Sequence, residues 1–232
     1  MYSFEVKEID MVAIGFCLLS VVMFCSMFYV LGQSVDQKRL IRNYVLYFAT
    51  WLGYIFVLSN TGLLDVFGLP PRVPLFIIVP SIIICIVVTG RPAFKEIMAK
   101  LPVTFAVYIQ SFRILVEMLI YGAFVNGIFP QAVTFEGTNF DILVGLSALV
   151  VGFLVQRHLI DKKGLLVWNI VSLCILTLTG YSFISSYYFY NTVNLEQALR
   201  FVRFPYLLLP AVLLPFAIFY HTLSIRQLML KN

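Results

Sequence analysis

The run MVAIGFCLLSVVMFCSMFYVL, residues 11–31, decides the fold class, because these 21 residues carry no charged side chain. A helix needs about 20 mainly apolar residues to cross the hydrocarbon core of a bilayer. The residues before the run are acidic and those that end it are bulky, which does not fit a cleaved signal peptide. We therefore expect a membrane-spanning helix over this run.

The whole chain shares this apolar character. Of its 232 residues, 61% are hydrophobic and 12% are charged, whereas soluble domains average about 45–50% and about 25%. This composition excludes a soluble globular domain, a disordered chain and a small secreted module held by disulfides. All four cysteines lie inside apolar runs, and no cluster of Cys and His predicts a metal site.

Seven apolar runs follow one another along the chain, separated by polar breaks or by breaks that contain Pro and Gly. The runs do not alternate apolar with polar residues as barrel strands do. The sequence therefore predicts an all-α, polytopic membrane protein, with a single seven-transmembrane-helix bundle over residues 1–232. The predicted spans are 11–31, 44–59, 73–88, 103–125, 142–155, 165–184 and 205–225.

Positive charges alternate between successive connections. One side holds 11 Lys and Arg residues and the other side holds four, while Arg113 lies inside a span. Because cytoplasmic loops are enriched in Lys and Arg, the N-terminus is predicted outside and the C-terminus in the cytoplasm. The net charge of +5 then follows from topology and indicates no nucleic-acid partner. The cytoplasmic cations are Lys38, Arg39, Arg42, Arg91, Lys95, Lys100, Arg157, Lys162, Lys163, Arg226 and Lys231, and the others are Lys7, Arg72, Arg200 and Arg203.

The fourth span carries ionisable residues. Gln110, Arg113 and Glu117 are spaced i, i+3 and i+7, which places them on one face of a helix. Because a charge inside the bilayer is costly, such residues indicate a functional site by default. One interpretation is a polar face that lines a cavity, where Arg113 binds an anion or a substrate carboxylate. The other is an Arg113–Glu117 pair that joins this helix to its neighbours.

A polar segment, EGTNFD at 136–141, precedes the short fifth span. The 14 apolar residues of that span cover about 21 Å, which is less than the ~30 Å hydrocarbon core. Either the bilayer thins around the span, or EGTNFD enters the outer membrane depth and faces protein or a watery cavity. Asp141 also suits a helix N-cap, but that role does not explain Glu136 and Asn139. The polar face of the fourth span and the EGTNFD segment together predict an outward-opening ligand pocket. Its residues are Gln110, Arg113, Glu117, Glu136, Asn139 and Asp141.

The last two spans contain further polar or helix-breaking residues. Pro205, Pro210 and Pro215 recur at five-residue steps, which predicts a bend around a cavity or a hinge. We interpret His221 as a hydrogen-bonded interface residue rather than a haem ligand. Asn169 is predicted to hydrogen-bond across helices. No span contains a lysine for a retinal Schiff base, and no cofactor or metal site is expected.

Three stretches of the C-terminal half carry a resemblance: QSFRILVEMLIY at 110–121, TFEGTNFDI at 134–142 and LPFAIFYHTLSIRQL at 214–228. Together they resemble a family of uncharacterised bacterial seven-helix membrane proteins. The resemblance implies a bacterial inner (cytoplasmic) membrane, and it brings no established activity. The pocket residues that it supports are Arg113, Glu117, Glu136, Asn139 and Asp141.

Three classes of function stay open at this point. The favoured class is small-molecule binding or transport, with the lipid bilayer and an unknown, anionic ligand as partners. The second is a structural or assembly subunit of a membrane complex, in a homo- or hetero-oligomer. The third is a membrane-embedded enzyme with Glu117 or Glu136 as acid and base, for which the sequence offers no nucleophile and no metal cluster.

Overall fold

The computed structural model describes residues 10–190 and 193–230, and within these ranges it contains helices and turns but no strand. Lys7 and Lys231, two of the counted cations, lie outside the described residues. The helices are α1 (Met11–Leu31), α2 (Gln37–Asn60), α3 (Pro74–Thr89), α4 (Pro92–Lys100), α5 (Val103–Val125), α6 (Asp141–Gln156), α7 (Lys162–Phe189), α8 (Leu195–Phe201) and α9 (Leu209–Leu230).

Five of these helices are long and apolar enough to cross a membrane, namely α1, α2, α5, α7 and α9. The α3 and α4 helices pass the same test only as a pair, and they are bent by 72° relative to each other. The α6 helix is apolar but has only 16 residues. The prediction of an all-helical fold with several helices able to span a membrane is confirmed, whereas seven crossings and their orientation stay predictions.

The predicted spans each coincide with one helix, but some boundaries differ. The second helix begins at Gln37 rather than at residue 44, because its basic first turns continue the helix beyond the apolar run. The last helix begins at Leu209 rather than at Pro205 and continues to Leu230. The break predicted at 90–100 contains the helix α4, whose buried Phe94, Ile97 and Met98 follow helical spacing.

The α6 helix packs against the first half of α5 with very little space between the backbones. A Cβ atom added at Gly145 would lie 2.8 Å from the backbone N of Ile114. Small residues allow membrane helices to approach this closely. The N-terminus of α6 therefore lies beside the middle of α5, where Asp141 meets Arg113.

Replacing Gly145 by alanine is expected to lower the free energy of unfolding by about 1–3 kcal/mol, because the methyl group would press on the α5 backbone. Unfolding in mixed detergent micelles measures this loss. The matched control is Gly53→Ala in α2, where an added Cβ meets no atom within 4 Å. That change should leave stability unchanged or raise it by up to about 1 kcal/mol through helix propensity. Equal losses in the two variants would contradict the close packing of α5 and α6.

The 126–140 segment, which connects α5 to α6, covers the second half of α5. The ring of Phe135 stacks on that of Tyr121, with centroids 4.8 Å apart. Further along the segment, Asn139 donates a hydrogen bond to Glu117 over 2.7 Å. The polar EGTNFD residues thus lie alongside a helix that is long enough to cross a membrane.

The backbone of this segment is satisfied largely by its own residues. The backbone N of Thr138 donates to the carbonyl O of Ala132 over 3.1 Å, and its side-chain hydroxyl donates to the same carbonyl over 3.0 Å. Gly137 permits this fold-back, since a Cβ there would lie 2.5 Å from the carbonyl O of Gln131. Irregular backbone at membrane depth needs such internal partners. These contacts fit the interpretation in which the EGTNFD residues enter the outer membrane depth and face protein.

Candidate functional site

Arg113 and Asp141 form a buried ion pair between α5 and α6. The Arg113 Nε donates to Asp141 Oδ2 over 2.6 Å, and Arg113 Nη2 contacts Asp141 Oδ1. Arg113 is 1% exposed and Asp141 is 4% exposed. A bidentate pair, in which two N–H groups of the guanidinium meet the two oxygens of one carboxylate, is a strong geometry for such an interaction. The alternative pair of Arg113 with Glu117 is not formed, because the start of α6 brings a carboxylate level with the guanidinium.

The prediction that Asp141 caps α6 through its side chain is wrong. Asp141 is the first residue of the helix, and its carboxylate is directed to Arg113. The capping role belongs to Asn139, whose Oδ1 accepts from the backbone N of Asp141 over 2.9 Å. The helix start is thereby satisfied while the aspartate stays available for its ion pair.

Glu117 is the second buried carboxyl group of the site. It is 0% exposed, and its Oε2 accepts from Asn139 Nδ2 over 2.7 Å. Its Oε1 has no hydrogen-bond partner among the described residues. Thr179 of α7 supports the arrangement from the far side, since its hydroxyl donates to Asn139 Oδ1 over 2.7 Å. Asn139 therefore links three parts of the site by hydrogen bonds, namely Glu117, the first residue of α6 and Thr179 of α7.

A chain of polar side chains leads from Arg113 into α9 and α7. Arg113 Nη1 lies 3.2 Å from His221 Nε2, and His221 Nδ1 lies 2.9 Å from Asn169 Oδ1. A guanidinium can only donate, so His221 Nε2 accepts and Nδ1 carries the proton. Asn169 Nδ2 then donates to Ser224 Oγ over 3.0 Å. The interface interpretation of His221 and the interhelical bond of Asn169 are confirmed.

Two of the six predicted site residues lie apart from this cluster. Gln110 is buried, but its Nε2 donates to the carbonyl O of Ala217 in α9 over 3.0 Å. Glu136 is exposed and accepts from the hydroxyl of Tyr121 over 3.2 Å. The other four, Arg113, Glu117, Asn139 and Asp141, are joined directly by hydrogen bonds or the ion pair.

A largely apolar cavity ends on the charged cluster. The cavity itself measures about 70 Å³, and the space that includes its open mouth measures about 700 Å³. Residues of α3, α5, α7, α8 and α9 form its walls, together with the first residue of α6. Its charged lining residues are Arg113, Glu117 and Asp141. The apolar part is represented by Val116, Phe183, Leu213 and Phe201. Small-molecule sites in proteins commonly combine apolar walls with a few convergent polar groups.

Three π-helical turns border the same cavity. They occupy Pro74–Ile78 at the start of α3, Ser185–Phe189 at the end of α7 and Leu209–Leu213 at the start of α9. Each contributes lining residues, among them Pro74, Tyr188 and Pro210. Insertions of this kind are rare in helices and are found frequently at functional sites. The π-helical turn at the start of α9 contains Pro210, one member of the proline series, and the bend or hinge predicted from that series stays a prediction.

Sequence reasoning missed that His221, Asn169 and Thr179 belong to the network around Arg113 and Glu117. His221 and Asn169 gave a signal, since each is a polar residue inside an apolar run. Thr179 gave none, because a threonine in a membrane helix can bond its own backbone, as it also does here to Ile175 O over 3.2 Å. In the described ranges, no group of three or more His, Cys, Asp or Glu could hold a metal ion.

Comparisons of the chain with protein-family models, with curated proteins and with solved structures find no match. The resemblance of residues 110–121, 134–142 and 214–228 to a bacterial family therefore stays a prediction.

Proposed function

We propose that this chain is a membrane protein that binds or transports a small molecule in the cavity between α3, α5, α7 and α9. The observation that carries the proposal is the apolar cavity ending on Glu117, a fully buried carboxyl group with one oxygen left unbonded by the described residues. A purely structural carboxyl group at this depth would be expected to have both oxygens satisfied. The three π-helical turns around the cavity add to this support.

The proposal includes seven crossings, with the N-terminus outside and the C-terminus in the cytoplasm. The seventh crossing consists of α6 together with the 126–140 segment. Contacts at the helix ends support alternating directions: Val35 donates to Glu96 at the basic end, and Arg203 pairs with Asp65 at the opposite end. In this orientation, the cavity occupies the outer half of the bundle, because its walls come from the predicted outer ends of α3, α7 and α9.

The setting proposed for this site is the bacterial inner membrane, on the basis of the sequence resemblance. The lipid bilayer surrounds the bundle, since apolar side chains such as Leu46, Phe56, Ile83 and Leu149 are exposed on its outside. A homo- or hetero-oligomer remains compatible with this surface.

Native mass spectrometry of the protein released from nanodiscs tests the proposed function. We expect a reproducible additional mass on the wild type that is lost in Gly180→Leu. Gly180 lines the cavity, and a Cβ there meets no atom within 4 Å, so the added side chain should fit without displacing packed residues.

The control for this experiment is Gly53→Leu, at another helical glycine with open space, outside the cavity lining. It should keep the additional mass. A wild type that carries no added mass at low or high collision energy, or a mass that Gly180→Leu retains, would contradict the proposal.

The second candidate is a structural or assembly subunit, and the closed Arg113–Asp141 pair favours it. That pair joins α5 to α6 without needing a ligand. Under this alternative, filling the cavity with Gly180→Leu would raise the free energy of unfolding and would leave the native mass spectrum free of any lost ligand mass.

A further inference from the structure

The charges of the buried cluster do not balance. Arg113 brings one positive charge, and Asp141 and Glu117 bring two carboxyl groups. Asp141 pairs with Nε and Nη2 of the guanidinium, and His221 accepts from Nη1. Within the described residues Glu117 makes no ion pair, and its one hydrogen-bond donor is the neutral amide of Asn139. The cluster therefore contains one more carboxyl group than it has cations, and the extra group is Glu117.

Among the described residues, the lining of the cavity beside Glu117 contains no cation besides Arg113. The charged lining residues of the cavity are Arg113, Asp141 and Glu117 itself, while α3, α7, α8 and α9 contribute only uncharged residues to its walls. His221, the titratable group of α9 nearest the pair, accepts from Arg113 and is thus neutral. Because a buried carboxylate without its own counter-charge is unfavourable, a cation that enters the cavity would be attracted to Glu117.

We propose that the cavity selects an amphipathic ammonium compound, whose N–H groups bind Glu117 Oε1 and whose apolar chain lies along the cavity walls. This inference rests on the proposed function and names its ligand class. It replaces the anionic ligand expected from Arg113, because the guanidinium is already matched by Asp141. An anion at the same place would face the carboxyl groups of Glu117 and Asp141, and the guanidinium of Arg113 is already paired with Asp141.

The test measures binding of three matched probes, decylamine, decanol and decanoate, to the full chain in phosphatidylcholine nanodiscs by equilibrium dialysis. Partition into the lipid is removed by subtracting the signal of Gly180→Leu, which fills the cavity wall. We expect decylamine to bind at least tenfold more tightly than decanol or decanoate. The comparison uses the wild-type protein and does not depend on the folding of a charge variant.

The variant Glu117→Gln keeps the size of the side chain and an oxygen to accept from Asn139. It should weaken decylamine binding by about 10–100-fold, because a hydrogen bond to a carboxylate is about twice as strong as one to a neutral amide. Binding of decanol should change by less than threefold. Glu117→Asp, which keeps the charge, should retain more decylamine affinity than Glu117→Gln.

The outcomes separate this inference from the proposed function. Equal or tighter binding of decanoate, or full decylamine affinity in Glu117→Gln, would overturn the inference and leave the cavity as a binding site. No binding of any probe above the Gly180→Leu signal would overturn the inference, and the native mass spectrometry of the wild type and Gly180→Leu would then decide the proposed function separately.

Nanodiscs that contain phosphatidylethanolamine identify the source of the ammonium group. Its headgroup carries N–H donors that phosphatidylcholine lacks. A lower apparent affinity for decylamine there would point to a bilayer lipid as the natural ligand, and an unchanged affinity would point to a free amine.

Discussion

Replacing Arg113 by leucine is expected to lower the free energy of unfolding by about 3–5 kcal/mol, the largest effect of any single change proposed for this protein. The substitution would leave Asp141 buried without its counter-charge and would remove the donor to His221. Breaking one side of a buried ion pair is more costly than never having had the pair, because the remaining charge has already lost its hydration. Unfolding by a denaturing detergent in mixed micelles measures the change.

Two matched variants distinguish an ion-pair effect from lost packing. Arg113→Leu combined with Asp141→Leu should recover most of the loss, because neither charge then remains buried. Arg203→Leu removes an ion pair of similar two-sided geometry, with Asp65, in which the side chains are 41% and 29% exposed. Its cost should stay below about 1 kcal/mol. A double variant as unstable as Arg113→Leu would show that the size and shape of Arg113 matter more than its charge.

Replacing His221 by leucine is expected to cost about 2–4 kcal/mol, because two buried polar groups lose their partner at once. These groups are Nη1 of Arg113, which donates to the ring, and Oδ1 of Asn169, which accepts from it. Thermal unfolding in detergent can report the loss. Nitrogen NMR of labelled histidine provides a second measurement, in which the wild type should show the tautomer with the proton on Nδ1.

The neighbouring Thr222 supplies the control for His221. Its hydroxyl donates to the carbonyl O of Ile218 within the same helix, over 2.8 Å. Thr222→Val should therefore cost less than about 1 kcal/mol. A proton on Nε2 of His221 would contradict the direction of the hydrogen-bond chain, and a loss in His221→Leu no larger than that in Thr222→Val would contradict its importance.

Part of the site could be read from the sequence because helical spacing is local. Gln110, Arg113 and Glu117 share one face of α5, and all three are buried as that spacing predicts. The spacing could not tell which of them would be joined. Gln110 bonds to α9, whereas Arg113 and Glu117 meet residues that lie 28 and 22 positions further along the chain.

The polar EGTNFD segment was partly predictable for a related reason. A short apolar run next to polar residues indicates that something other than helix covers the missing depth. It does not indicate which polar residue turns inward. Asn139 and Asp141 point to Glu117 and Arg113, while Glu136 lies at the surface against Tyr121. The difference depends on the fold-back at Gly137, where only a residue without a Cβ fits.

The sequence by itself determined that this protein is helical and multi-pass, because long uncharged runs have no other stable state in a bilayer. It also determined the approximate positions of the apolar helices and of the buried charges in α5. Only the tertiary structure decided that Arg113 pairs with Asp141 and that Glu117 is left over beside a cavity. Those facts depend on how closely α6 approaches α5 at Gly145, and such interhelical distances are set by packing across the bundle rather than by local sequence.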